Sequence, residues 1–262
     1  MKCQITILLC VFTLGFAYAQ TPTAVALEQA EGKTGLTAQL HIATDQSGSM
    51  GLAEASSLEY RPLSPRTKPT SDKFAYWGKV KLVNRTEQQE DWVLYGGNNN
   101  ATDLYIVRDR SISKQVSGEM RKTSQKSIAQ GRKDAFFKLK LAPKDSATLY
   151  LRVANSMGHV PRMRAYIMPK EEWEAQSRNS FILQSLFFGA LIMMMGYNIS
   201  VWIATRENAY GYYAAFILLT TVYFSWYHGF IHTFLFPDLP QVNINFWILS
   251  ITMPIAYILF AR

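Results

Sequence analysis

Thiols are all but missing: the chain holds two cysteines, Cys3 and Cys10, and none after them. Beyond position 10 this excludes a disulfide and a thiolate metal site. Charge is also missing, but from one region only. Between 181 and 262 the charged residues are Arg206, Glu207, Asp238 and Arg262 alone, whereas 20–180 read as an ordinary polar domain. The patterns that mark chemistry are missing as well: there is no nucleophile-and-base pair, no glycine-rich phosphate loop and no zinc spacing. No catalytic residue can be named, and no cofactor or metal is expected. What remains is a hydrated half followed by an apolar half.

The first twenty residues have the composition of an export signal. Lys2 supplies the positive start, 5–16 an apolar run, and Ala17-Tyr18-Ala19 a small-x-small cleavage pattern. That run is short for a bilayer core, which needs about 20 residues. The spacing predicts a signal peptide at 1–19 and a mature chain from Gln20, with both cysteines removed. An exported domain without disulfides must be held by its own apolar core, so a domain of full size is expected.

Three apolar stretches follow, and the spacing predicts transmembrane helices over about 181–204, 210–236 and 243–261. Arg206-Glu207 breaks the first pair. Phe236-Pro-Asp-Leu-Pro-Gln241 turns the second, because two prolines do not suit a helix interior. Export of the first half places the Arg206 loop on the cytoplasmic side and Asp238 outside, in agreement with the positive-inside rule. The sequence stops one residue after the third stretch. We therefore expect a longer protein with further segments and a cytoplasmic output module.

In the polar half, short runs of β-type residues alternate between turn signals. After a leader arm at 20–40 come Phe74-Ala-Tyr-Trp-Gly-Lys-Val-Lys-Leu-Val83, Asp91-Trp-Val-Leu-Tyr95 and Thr102-Asp-Leu-Tyr-Ile-Val107. Ala135-Phe-Phe-Lys-Leu-Lys-Leu141, Ala147-Thr-Leu-Tyr-Leu-Arg-Val153 and a last strand over Pro161–Met168 complete the series. Gly96-Gly-Asn-Asn-Asn100 reads as a turn. The spacing predicts an all-β jelly roll or sandwich over 41–170, then a juxtamembrane linker at 171–180.

The order of these motifs resembles a known family. Tyr76-Trp77-Gly78, Leu82-Val-Asn84, Asp91-Trp92-Val93-Leu94, Asp103-Leu104-Tyr105, Gly118 and the strand at 147–153 come first. Gly189, Tyr197-Asn198, Arg206-Glu207, Tyr210, Tyr212-Tyr213, Gly229 and Pro237 follow. This combination, over about 40–262, is similar to the seven-transmembrane receptors with diverse intracellular signalling modules, the 7TMR-DISM family. The resemblance implies a jelly-roll extracellular domain akin to carbohydrate-binding modules, seven helices, and a cytoplasmic output such as a histidine kinase, a diguanylate cyclase or a phosphatase.

Two groups of residues are candidate ligand contacts. Trp77, Trp92 and Tyr105 could form an aromatic platform for sugar rings, although alternation in a strand puts large residues inward, so core packing competes with that reading. The stretch 108–144 carries eleven Lys or Arg against Asp109, Glu119 and Asp134, an excess equal to the net +8 of the whole chain. Arg121, Lys122 and Lys126 are the picks for an acidic glycan, a lipopolysaccharide phosphate or an anionic lipid headgroup, with a solvated basic face as the plainer alternative. Nucleic acid is not an expected partner outside a cell. In the apolar half, His228 and His232 are spaced to share one helix face, and Asn198 is expected to bond between helices.

The expected function is that of a multi-pass receptor in a bacterial cytoplasmic membrane. It would bind an extracytoplasmic small molecule or glycan and relay the signal to a cytoplasmic signalling module or response regulator. A membrane-anchored glycan- or surface-binding module without signalling is the alternative.

Overall fold

The computed structural model describes residues 24–28, 32–87, 90–109, 111–130, 134–156 and 158–261. The expected signal peptide and the start of the leader arm lie outside the described residues.

Among the described residues eleven strands run in chain order: β1 (Val25–Leu27), β2 (Thr34–Gly35), β3 (His41–Asp45), β4 (Arg61–Pro62), β5 (Ala75–Asn84), β6 (Glu90–Asn98), β7 (Ala101–Arg108), β8 (Ser111–Ser117), β9 (Asp134–Leu141), β10 (Ser146–Ala154) and β11 (Tyr166–Pro169). Seven form one sheet in the order β4-β3-β5-β10-β7-β8, with β1 beside the end of β5; four form the second, β2-β11-β6-β9. The pairings are antiparallel except that of β1 with β5. The domain is a β-sandwich.

Alternation explains why these residues form these strands. Along β9, Ala135, Phe137, Leu139 and Leu141 are buried, while Lys138 and Lys140 face solvent, which is period two with one face in the core. Trp92 and Leu94 of β6 pack from the second sheet against Leu104 and Ile106 of β7 and Leu149 and Leu151 of β10. Gly96 continues β6 instead of starting the expected turn, since Asn98 is still paired across a bulge. A Cβ at Gly96 would stand 2.8 Å from the Phe137 ring and 3.0 Å from Leu151, so only glycine lets the sheets close here.

The expected arm contributes to the sandwich: Leu27 and Leu36 are core residues. The expected linker does not exist as a linker. Helix α1 (Leu52–Ser56) covers part of the first sheet, and α2 (Lys170–Thr205) begins at once after β11. Pro169 precedes α2 with φ −56°, and Glu171 and Glu172 lie in its first turn, where carboxylates complement the helix dipole. α2 runs without a break to Arg206, whose left-handed backbone (φ 58°) ends it. Among the described residues it is the one helix long and apolar enough to cross a membrane.

α3 (Asn208–Tyr227) packs back along α2, and α5 (Leu249–Phe260) packs on α3. The second expected span is divided: α3 ends at Tyr227, Gly229 takes φ 85°, and a π-helical turn runs over Ile231–Leu235. The third comes in pieces, α4 (Pro240–Asn245), a 3-10 turn and α5 with Pro254 inside it.

Candidate sensory face and its junction with the helices

The first sheet presents Trp77, Tyr105 and Tyr150 on its outer face, opposite the core. Trp77 is fully covered by α1 and its flanks, with Ala55, Leu58 and Tyr60 in the same cluster. Tyr105 lies 5.4 Å from Trp77, ring centre to ring centre, and is half-buried. Beside it opens a recess of about 440 Å³ lined by Leu52, Tyr105, Val107, Ile112, Lys114 and Tyr150, among others. Trp92 is on the other side of the sheets, in the core at 2% exposure. The three aromatics therefore form no common platform. Burial takes both tryptophans out of a ligand's reach, and Tyr105 alone faces outward.

The basic candidates separate as well. Asp103, next but one to Tyr105 on β7, is buried, and a buried carboxylate needs partners. Arg121 donates to it at 2.8 Å and Lys114 approaches at 3.4 Å. Arg121 is thus an internal counter-charge, not a free cation. Lys126 is buried too; burial, only partly offset by the charges of Glu119 and Asp134, brings its ammonium pKa down to about 8. Lys122 alone of the three is exposed. Lys114, which the sequence did not single out, stands 5.1 Å over the Tyr105 ring. Burial disfavours its charge, but Tyr105 and Asp103 together hold its pKa above the ordinary lysine value.

Asp103 could have been suspected: it stands as a lone acid in an apolar strand, a position that seldom stays buried without a cation. Its partners come from β8 and the loop after it, neither of which has a strong signal in sequence.

That loop starts at Gly118, whose φ of 115° and crowding against Asn100 O (2.6 Å from an added Cβ) admit no other residue without strain. Beyond Arg121 it reaches the helices. The Thr123 N–H donates to Pro237 O at 2.8 Å, Thr123 Oγ1 to His232 O at 3.4 Å, and Ser124 Oγ to Asp238 Oδ1 at 3.4 Å. The Phe236–Leu239 turn therefore lies on the sandwich's side of the helices. A second attachment is aromatic: Trp173 of α2 meets Phe136 edge to face at 5.7 Å, and Phe136 and Tyr166 flank Tyr95. Between the two attachments lies a cleft of about 700 Å³, with Asp134, Tyr166, Trp173, Arg178, His228 and Phe234 in its walls.

The polar residues of the apolar half do not behave as their spacing predicts. His228 caps α3 and His232 sits in the π turn beyond Gly229, so the interruption removes the shared helical face. Asn198 donates to Met194 O of its own helix at 2.8 Å, and among the described residues its side chain bonds to no other helix. Among the described residues no three His, Cys, Asp or Glu side chains gather as a metal group.

Comparison with known proteins accounts for both halves. Residues 37–165 match the family model described as 7TMR-DISM extracellular 2, and residues 180–262 match the one described as 7TM diverse intracellular signalling. The chain belongs to the 7TMR-DISM family. As a 7TMR-DISM protein it is a membrane protein with an extracellular domain, of the sensory and signalling type. No curated protein matches it. Two solved structures overlay 52% of the chain. One is the enzymatically active domain of the bacteriophage CBA120 tailspike protein 4, at 10% identity, TM-score 0.26 and 18% of that chain. The other is the exo-beta-1,3-galactanase of Phanerochaete chrysosporium, at 11% identity, TM-score 0.21 and 27% of that chain. Overlays this weak bear neither on the fold nor on a ligand of this 7TMR-DISM chain.

Proposed function

We propose that this chain is the sensory front of a receptor in a bacterial cytoplasmic membrane. A small extracytoplasmic molecule or glycan settles beside Tyr105 on the outer face of the first sheet, with Lys114 at the rim. The helices pass the resulting bias to a cytoplasmic module, such as a histidine kinase or a cyclase.

One chain of contacts supports this reading above all. Lys114 touches both the Tyr105 ring and Asp103, Asp103 holds Arg121, and the same loop docks on Pro237. A ligand that draws Lys114 away from Asp103 changes what holds Arg121, and thereby the seating of the loop on the helices. It can do so only by binding the seated and unseated states unequally. Contact alone is not coupling, so the test must perturb one end and read the other.

Hydrogen exchange on the full chain in bilayer discs does this. The Thr123 amide is expected to be protected, and Arg121→Gln to speed its exchange together with that of residues 230–240, while β5 and β10 stay unchanged. A glycan found by array screening that protects Tyr105 is expected to shift the Thr123 amide as well. If it binds there and leaves Thr123 unmoved, the chain is a surface-binding anchor and the receptor reading fails.

A further inference from the structure

We infer that the cleft between the sandwich and the helices seats the head of an anionic membrane phospholipid, with its phosphate at Arg178 and its acyl chains against the aromatic wall below. The inference uses the membrane placement that the family gives and does not depend on a ligand beside Tyr105.

Position is the first argument. α2 changes from polar to apolar at Phe181, and Arg178 lies one turn earlier on the neighbouring part of that helix face. The cleft thus opens at the level where lipid headgroups meet the hydrocarbon, with Trp173 and Tyr227 as aromatic residues of the kind enriched there. Shape is the second. Below the polar upper wall of Gln176, Ser177, Arg178 and Ser180, Phe181 packs on Phe230 at 6.1 Å and Phe230 on Phe234 at 6.0 Å, ring centre to ring centre. Phe188 joins Phe230 at 5.3 Å, which continues the wall along α2. Phe181 and Phe234 remain 54% and 69% exposed, a surface that acyl chains cover and water does not. The volume, about 700 Å³, is that of a site for a headgroup-sized ligand.

Charge is the third argument and decides the sign. Arg178 makes no ion pair among the described residues and is exposed toward the cleft. Asp134, the carboxylate in the wall, already accepts from the Tyr95 hydroxyl at 3.4 Å and stands near the charge of buried Lys126. Among the described lining residues Arg178 is therefore the charged group left without a partner, and an unpartnered guanidinium suits a phosphate and not an ammonium headgroup.

Trp173 in the wall supplies the readout. The full chain is placed in phosphatidylcholine discs containing a small share of either bromine-labelled phosphatidylglycerol or bromine-labelled phosphatidylcholine. The contribution of Trp173 is taken as the difference from a Trp173→Phe variant. Brominated phosphatidylglycerol is expected to quench Trp173 more than the same share of brominated phosphatidylcholine. Arg178→Gln is expected to reduce that preference about fivefold, the worth of one cation near a membrane surface. Phe234→Ser is expected to lower quenching by both lipids, whereas Arg206→Gln at the far end of α2 leaves the preference intact. Equal quenching by the two lipids overturns the inference, as does a preference that survives Arg178→Gln. Loss of the excess on adding soluble glycerol phosphate also overturns it, because a free anion would then be the occupant.

Discussion

Replacing Trp92 by Ala removes a ring that is 2% exposed between the sheets. The expected cost is on the order of 3–5 kcal/mol, from lost burial and the cavity left behind, measured by denaturant unfolding of the sandwich. Trp92→Phe should cost much less: the ring keeps most of its contacts, and the indole N–H has no hydrogen-bond partner among the described residues. Lys126 behaves in the opposite sense. Its native pKa is near 8, while in the unfolded chain a lysine titrates near 10.4. Between these values the unfolded state binds the additional proton, so stability from this group rises with pH across that window. Melting temperatures at pH 7.5 and 9.5 should therefore show wild type gaining on Lys126→Met as the pH is raised. No relative gain would mean that Lys126 is more hydrated than its burial indicates.

The loop that follows β8 is short, and it joins two parts of the molecule. Gly118→Ala keeps every docking group but forces a left-handed backbone on a residue that resists it, at a cost of about 1–3 kcal/mol. Because the strain sits at the base of the loop, its effect should appear as faster exchange at Thr123 before any loss of sheet structure by circular dichroism. Elements also show what the sequence conveys and what it withholds. The long strands are legible because period-two alternation is local: β9 and β10 occur where the residues place them. β8 is not, since Ser111–Ser117 is mostly exposed and no buried face marks its period. Nor is the continuity of α2, because a polar stretch before an apolar one looks like a linker until Trp173 finds Phe136. The candidate site suffers from the same gap. Tyr105 can be picked out from its strand, but whether a cation such as Arg121 is free or paired depends on Asp103, eighteen positions away.

For the whole molecule the first question is which side each segment faces. Reporter fusions after Ile167 and at Asp238 are expected to read as external, and a fusion at Arg206 as cytoplasmic. The contact of Thr123 with Pro237 requires the first two to agree, so an internal reading at Asp238 would overturn the arrangement. The second question is how a sandwich can influence helices at all. With 36 residues, α2 is about 54 Å long, whereas a bilayer core is about 30 Å thick; its upper turns belong to the extracellular domain and its lower turns to the membrane. One unbroken helix therefore fixes an angular phase between the two, at about 100° per residue. Inserting a single alanine between Glu174 and Phe181 should turn the sandwich a quarter circle past its seat on the Pro237 turn and unseat Thr123. Inserting seven, close to two whole turns, should restore the phase while lifting the domain by about 10 Å. Hydrogen exchange at Thr123 separates the two effects: if phase matters, the longer insertion disturbs it less than the shorter one, and if height matters, more. The length of this stretch is thus a dial set in steps of a turn, and single-residue changes in it are rotations.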